Sequence, residues 1–319
     1  MAVVLRRDRA DEDAVAGLSQ AASVQGPCRV PGAATALWRP VMSACVRIPA
    51  ARLLTALVLL PVMLVVVSLP ALRVVFALVA ATFVFQGLRE FYAIAGARGV
   101  VCERWAGIFA GTAVALSAML DAEGLTALVL CIALLALCVV EVLRGRLSIA
   151  GMATSVFGVV YVGWFGAHIV LLHRLPQVGP GLVVLLILTV ALSDSGAYLV
   201  GSTFGRHKLA PEVSPNKSWE GAAGGVVFAV LAVLLAYGVH GAMNWEGLPD
   251  WSLPAYLGLA VALSVIGQFG DLAESALKRD AGVKDSGAIF PGHGGMLDRC
   301  DSFLFAAPIL YYIAAPWAM

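Results

Sequence analysis

Leu125-Thr126-Ala127-Leu128-Val129-Leu130-Cys131-Ile132-Ala133-Leu134-Leu135-Ala136-Leu137-Cys138-Val139-Val140-Glu141-Val142-Leu143 holds one charged side chain, Glu141, and that lies close to its end. A helix needs about 20 mostly apolar residues to cross a bilayer, so this run reads as a membrane span. Working outward, eight more runs qualify: 51–69, 72–94 and 105–121 before it, and 150–172, 181–203, 219–239, 254–273 and 301–318 after it. The expected fold class is an all-α polytopic integral membrane protein with about nine transmembrane helices and a cytoplasmic N-terminus.

Composition agrees. Apolar residues make up 61% of the 319-residue chain and charged residues 13%, with a mean hydropathy of +0.90. Soluble domains run roughly 45–50% apolar and about 25% charged. A soluble globular protein and extensive disorder are therefore both excluded. The net charge of +1 says nothing about nucleic acid, because the signs balance overall; no nucleic acid is expected as a partner. Six cysteines form no CxxC pair, so neither a zinc site nor a disulfide framework is visible. Residues 1–46 are polar, mixed in charge and without apolar periodicity, and are expected to form a mobile cytoplasmic tail. Met42, followed by a basic stretch and a span, looks like a more ordinary start for the membrane part, 47–319.

With the N-terminus in the cytoplasm, 19 of the 21 lysines and arginines fall on that side, leaving only Arg73 and Arg174 opposite. Such a bias sets orientation. Arginine outnumbers lysine 17 to 4, which suggests a GC-rich genome. No organelle-targeting feature is apparent, and a bacterial plasma (inner) membrane is expected.

The polar residues gather late in the chain. All four lysines, Lys208, Lys217, Lys278 and Lys284, lie in the last two cytoplasmic segments, where compact ammonium groups suit phosphate binding. Asp194 lies inside an apolar run, at a cost of about 2.5–3.5 kcal/mol for a helix centre, so it is expected to face a cavity or a partner. Asp271 and Glu274 are spaced i,i+3, as are Asp298 and Asp301, so each pair shares a helix face, and Glu274 and Lys278 stand at i,i+4 in a favourable ion-pair order. Carboxylates in facing pairs suit a hard cation such as Mg²⁺ bridging to phosphates. Between them runs Gly282-Val283-Lys284-Asp285-Ser286-Gly287-Ala288-Ile289-Phe290-Pro291-Gly292-His293-Gly294-Gly295, whose glycines would let backbone N–H groups approach an anion. His293 could donate to a phosphate or assist proton transfer. Upstream, Pro211 and Pro215 interrupt helix, and Ser218 is placed to cap the span that follows, with Lys217 beside that end. His168, His173, His207 and His240 show no partner spacing and read as structural or interfacial.

These residues resemble a known family. Ser275-Ala276-Leu277-Lys278-Arg279, Lys284-Asp285, Pro291-Gly292-His293-Gly294-Gly295 and Asp298-Arg299-Cys300-Asp301 together look like the signature of the phosphatidate cytidylyltransferases (CDP-diacylglycerol synthases). Asp194, Tyr198, Gly201 and Gly205, with Ser214-Pro215-Asn216-Lys217-Ser218-Trp219-Glu220-Gly221, are similar to its second conserved region. The likeness in span order extends over residues 47–319. Cys300 replaces the usual aliphatic residue or threonine, and Ser218 a common threonine.

The resemblance implies transfer of the cytidylyl group of CTP to phosphatidate, giving CDP-diacylglycerol and pyrophosphate, by metal-assisted direct attack at the CTP α-phosphate on the cytoplasmic side. It implies Mg²⁺, leaves a second cation open, and implies a homodimer working on CTP and phosphatidic acid among membrane lipids. The catalytic part then falls in 190–302. Asp271, Asp298 and Asp301 are expected to hold metal, and Asp194 either joins them or orients a metal-bound water. Lys278, Arg279 and His293 complete the catalytic set. Ser214, Asn216, Lys217, Ser218, Lys284, Gly292, Gly294, Gly295 and Arg299 are expected to bind substrate.

Two alternatives stay open. One is a CTP-using enzyme acting on another lipid, such as a polyprenol kinase-like protein. The other is an ion-coupled transporter, which Asp194 and the glycine-rich spans would suit. A transporter, however, would carry charge near the midplane and an inverted repeat, whereas these polar residues concentrate on one face and no repeat appears.

Overall fold

The computed structural model describes residues 65–120, 122–145, 148–243, 247–287, 289 and 294–318. The expected tail 1–46, and all but the end of the run 51–69, lie outside the described residues. Among the described residues a 3₁₀ turn at Pro70–Leu72 leads into eight helices. They are α1 (Arg73–Ala97), α2 (Arg104–Ser117), α3 (Leu125–Leu143), α4 (Ile149–His173), α5 (Gly179–Phe204), α6 (Trp219–Met243), α7 (Leu253–Asp280) and α8 (Leu297–Ala318). The middle of α4, Val159–Trp164, winds as a π-helix.

Six of these helices, α1 and α3 to α7, are long and apolar enough to cross a membrane. They coincide with expected runs, except that α7 continues past residue 273 to Asp280. Its 28 residues span about 42 Å against a hydrocarbon core of about 30 Å, so its last turns reach beyond that core. The run 105–121 forms only the 14 residues of α2, about 21 Å. The final helix, α8, has 22 residues, carries Pro308 and Pro316 internally, and is not among the six.

One segment departs from all-helical character. Lys208–Ala210 (β1) and Ser214–Ser218 (β2) pair antiparallel, Lys208 opposite Ser218 and Ala210 opposite Ser214, with an irregularity between. Pro211 and Pro215 forbid helix here, as the sequence suggests, but the chain turns back on itself instead of forming an open loop.

The helices bury two apolar clusters. Leu182, Leu186, Val233, Leu259 and Leu263 from α5, α6 and α7 form one with Ala307 and Leu310 of α8. Leu88, Phe91, Ile108, Leu137 and Val162 from α1 to α4 form the other, joined by Leu297 and Leu304 of α8. Helix α8 thus belongs to both clusters, its first turn to the second through Leu297 and its later turns to the first from Ala306 on.

Close approach of α5 and α6 depends on small residues, as in membrane interiors generally. A Cβ at Gly221 would lie 2.8 Å from the Ala197 carbonyl oxygen and 3.1 Å from the Gly201 Cα. Both obstacles are backbone. Ser193 and Ser264 hydroxyls pair at 2.7 Å, and Gln268 Nε2 donates to Ser264 Oγ at 3.1 Å and to the Ala222 carbonyl at 3.2 Å, tying α5, α6 and α7 together. Gly221→Val should therefore separate α5 from α6 and destabilise the protein by about 1–3 kcal/mol, measurable as a lower thermal midpoint in detergent.

Candidate active site

The C-terminal half of α5, the β-hairpin, the start of α6, the end of α7 and the first turn of α8 meet at one end of the molecule. Capping organises the hairpin. Gly221 N–H donates to Ser218 Oγ at 3.1 Å, the expected cap of α6. Glu220 accepts from the Arg206 and His207 backbone N–H groups and contacts His207 Nδ1 at 2.6 Å. His207 therefore has a partner that its sequence spacing does not reveal. Arg279 Nε donates to the Val213 carbonyl at 3.3 Å, holding the tip of the hairpin to the end of α7.

The i,i+3 carboxylate pairs do not act as pairs. Asp271 meets Lys217 Nζ at 2.7 Å and accepts from Ser275 Oγ at 3.4 Å. Glu274, one turn later and fully buried, meets Lys278 Nζ at 2.8 Å. Lys278 also reaches Asp298 Oδ1 at 2.6 Å and so bridges α7 to α8. The other oxygen of Asp298 accepts from the Ser286 N–H at 3.0 Å and the Gly295 N–H at 2.7 Å. Asp301 is buried, and its Oδ1 accepts from the Ser302 N–H at 2.7 Å. Gly270 makes room for the α8 backbone at this level, since a Cβ there would sit 2.5 Å from the Asp301 carbonyl oxygen.

Asp194, Asp271 and Asp301 lie within electrostatic reach of one another, with Lys217 near Asp194 and Lys278 near Asp301. Three helices thus bring together three carboxylates whose like charges repel. Among the described residues, no group of three or more His, Cys, Asp or Glu side chains is arranged as a ready metal cage. The donor chemistry nonetheless suits a hard cation. Glu274 Oε1 is buried with no hydrogen-bond partner, and so is the Tyr161 hydroxyl, within electrostatic reach of Glu274 and Asp301. Glu274 Oε1 is thus a free acceptor at the site, and a further positive charge would satisfy it. Asp271 and Asp298 each have partners on both oxygens, so either would take a cation only by sharing or giving up one of them, Lys217 or Ser275 for Asp271 and Lys278 or a backbone N–H for Asp298.

The remaining expected residues spread around this centre. Ser214 is half-buried and Asn216 exposed on β2, while Lys284, Arg279 and Arg299 are exposed. Gly292 and His293 lie outside the described residues. Gly294 has φ of +80°, which favours glycine, and a Cβ there would meet Asp298 Oδ2 at 2.5 Å. The Gly295 N–H points at Asp298, so it serves a carboxylate of the chain itself in this structure.

Sequence reasoning passed over Glu90 on α1. Its buried carboxylate accepts from Ser286 Oγ and from the Met296 and Leu297 N–H groups. The available signal was the one used for Asp194, an acid inside an apolar run. Tyr161, on the π-helical turn, was also passed over. It is aromatic among apolar residues, and nothing in the sequence marks a π-turn.

Sequence comparison gives the class. The sequence model of the Cytidylyltransferase family matches residues 50–316, and the chain belongs to that family. Among relatives, it is 42% identical over 158 residues to the phosphatidate cytidylyltransferase of Bacillus subtilis (strain 168), covering 49% of this chain and 55% of that protein. The protein of the same name from Staphylococcus aureus (strain COL) is 42% identical over 168 residues, 52% of this chain and 60% of the relative. That of Brucella suis biovar 1 (strain 1330) is 40% identical over 169 residues, 53% and 60%. The matched part thus spans between half and two thirds of the length of these relatives.

Lys278→Met would leave Glu274 and Asp298 buried without their shared cation. Breaking a buried pair in this way typically costs about 3–5 kcal/mol. The variant should lose thermal stability by that order, and adding Glu274→Gln should restore part of it, as read by unfolding in detergent.

Proposed function

We propose that this chain transfers the cytidylyl group of CTP to phosphatidate, releasing pyrophosphate and leaving CDP-diacylglycerol in the membrane. The observation that carries the reading is the convergence of Asp194, Asp271 and Asp301 with Lys217 and Lys278 at one end of apolar helices. Such a centre is suited to a polyanionic nucleotide meeting a lipid phosphate. The names of the relatives support the same substrates.

In this reaction a phosphatidate oxygen forms a bond to the CTP α-phosphorus, and the bond from that phosphorus to the bridging oxygen breaks, freeing pyrophosphate. Phosphatidate is already ionised near neutral pH, so the chain needs no strong general base. Its task is to bring two anions together and to offset their repulsion. Lys217 and Lys278 stand at the centre, each already oriented by a carboxylate. Arg279, Lys284 and Arg299 supply further cations around it. Mg²⁺, when bound, supplies Lewis-acid stabilisation of the charge developing on the phosphates. Asp271 and Asp301, with Asp194 beside them, would hold it, and Asp298 would join only by giving up Lys278. The lipid enters sideways between helices and leaves its acyl chains in the bilayer.

We place the site on the cytoplasmic side of a bacterial plasma membrane, with nine spans and a cytoplasmic N-terminus. The one-sided distribution of lysine and arginine supports that orientation. A homodimer is proposed on the family likeness alone.

The test gives detergent-purified protein phosphatidate, Mg²⁺ and CTP labelled at the α-phosphate, with EDTA as control. Label should enter the lipid phase together with pyrophosphate release, and EDTA should abolish both. Label entering lipid from γ-labelled CTP would make the protein a kinase. Asp271→Asn should lower kcat by about 10²-fold or more while leaving the protein folded; near-normal turnover would remove Asp271 from the site.

A further inference from the structure

We propose that Glu90 is a positioning residue that fixes the first turn of α8, and with it Asp298 and Asp301, relative to the rest of the site. The proposal rests on the reading of this site as a CTP-dependent transferase, and it adds a part that lies far from the signature in sequence.

Glu90 sits on α1 with 4% of its surface exposed. Among the described residues no lysine or arginine pairs with it. A buried carboxylate without a cation persists only when hydrogen bonds replace its lost hydration. Here Ser286 Oγ donates to Oε2 at 2.8 Å, the Leu297 N–H to Oε2 at 2.8 Å, and the Met296 N–H to Oε1 at 2.9 Å. Gln86 Nε2, one turn back on α1, approaches Oε1 at 3.4 Å. The Met296 and Leu297 amides belong to the start of α8, where helical N–H groups lack intrahelical acceptors and the helix dipole favours an anion. Glu90 is therefore a cap for α8 supplied from another helix.

Two glycines make that cap possible. A Cβ at Gly287 would lie 2.7 Å from Glu90 Oε1, and a Cβ at Gly295 would overlap Glu90 Oε2 and Ser286 Oγ. Neither glycine has a positive φ. The requirement at both positions is space for the carboxylate, not backbone freedom. The network then reaches the site directly. Ser286, held by Glu90 through its hydroxyl, donates its backbone N–H to Asp298 Oδ2, and the Asp298 N–H returns to Ser286 Oγ at 3.3 Å. Asp298 in turn holds Lys278. One buried carboxylate on α1 thus sets the stems Ser286–Gly287 and Gly295–Leu297, the start of α8, and the Asp298–Lys278 contact. Buried polar networks of this kind are stable only when every member is satisfied.

The experiment compares full-length wild-type protein with Glu90→Gln by hydrogen exchange and by kinetics. Glutamine keeps the shape but turns an NH₂ group toward N–H or O–H donors. Exchange at the Met296 and Leu297 amides should accelerate about tenfold or more, while the α5–α6 interface exchanges as in wild type. KM for CTP should rise about tenfold, with a smaller change in kcat. A general packing role would instead lower thermal stability and loosen the neighbouring helices without a selective effect on KM. Unchanged exchange at Met296 and Leu297 in Glu90→Gln overturns the proposal. Where wild-type protein shows no cytidylyl transfer but the variant still releases these amides, the transferase reading fails and the positioning role stands. Should Glu90→Gln lose its fold throughout, Gly287→Ala decides, because the atoms nearest its added methyl group all belong to Glu90. The methyl group should displace the carboxylate and speed exchange at the Met296 and Leu297 amides about tenfold. Unchanged exchange at those amides in Gly287→Ala would sink the idea.

Discussion

Buried charge is the constraint on which this molecule depends. An apolar helical bundle can keep a carboxylate only if a cation or several hydrogen-bond donors come with it, because solvation lost in a low-dielectric interior must be replaced. Lys278 meets that demand for two helices at once, contacting Glu274 on its own helix and Asp298 on the next. Lys217 meets it for Asp271. Glu90 meets it without a cation, through backbone amides and a serine hydroxyl. Each solution also joins elements distant in the chain, so satisfying the charges and building the site are one process.

The same constraint explains why much of the polar centre gathers around helix ends, although Asp194 and Asp271 lie well inside α5 and α7. Helix ends offer N–H groups that have no intrahelical acceptor, and carboxylates supply acceptors for them. Asp298 and Glu90 both use amides around the start of α8. The length of α7 carries Lys278 and Arg279 to this level. The hairpin, pinned by Glu220 and Arg279, brings Lys217 in from the other side.

Small residues set the geometry on which these contacts rely. Gly221 against Gly201 and Ala197 holds α5 to α6, and Gly270 admits the α8 backbone beside Asp301. Apolar packing alone tolerates shifts of a fraction of an ångström, whereas charged hydrogen bonds near 2.7–2.9 Å do not. Close backbone contact narrows the range of helix positions enough for such short contacts to form together.

Much of this was legible in the sequence. Long apolar runs demand helices because lipid offers no partner for free backbone groups, and six such runs are helices of membrane-spanning length. The clustering of lysines and acids late in the chain pointed to the region where Lys217 and Lys278 meet Asp271, Glu274 and Asp298, Ser218 was readable as a cap, and the signature from Ser275 to Asp301 pointed to the family that residues 50–316 match. Most partners were not legible. The i,i+4 spacing of Glu274 and Lys278 announced an ion pair, and it forms. Spacing also placed Asp271 with Glu274 and Asp298 with Asp301, but helix packing turns Asp271 to Lys217 and Asp298 to Lys278. Glu90 joins residues about 200 positions away, and no local period encodes that. Sequence by itself determined which segments must be helical and which residue types gather near one end, because both follow from the local cost of exposing backbone and charge to lipid. Beyond the Glu274–Lys278 pair within α7, only the tertiary structure decided which carboxylate meets which cation or amide, because those pairings depend on how several helices pack against one another at once.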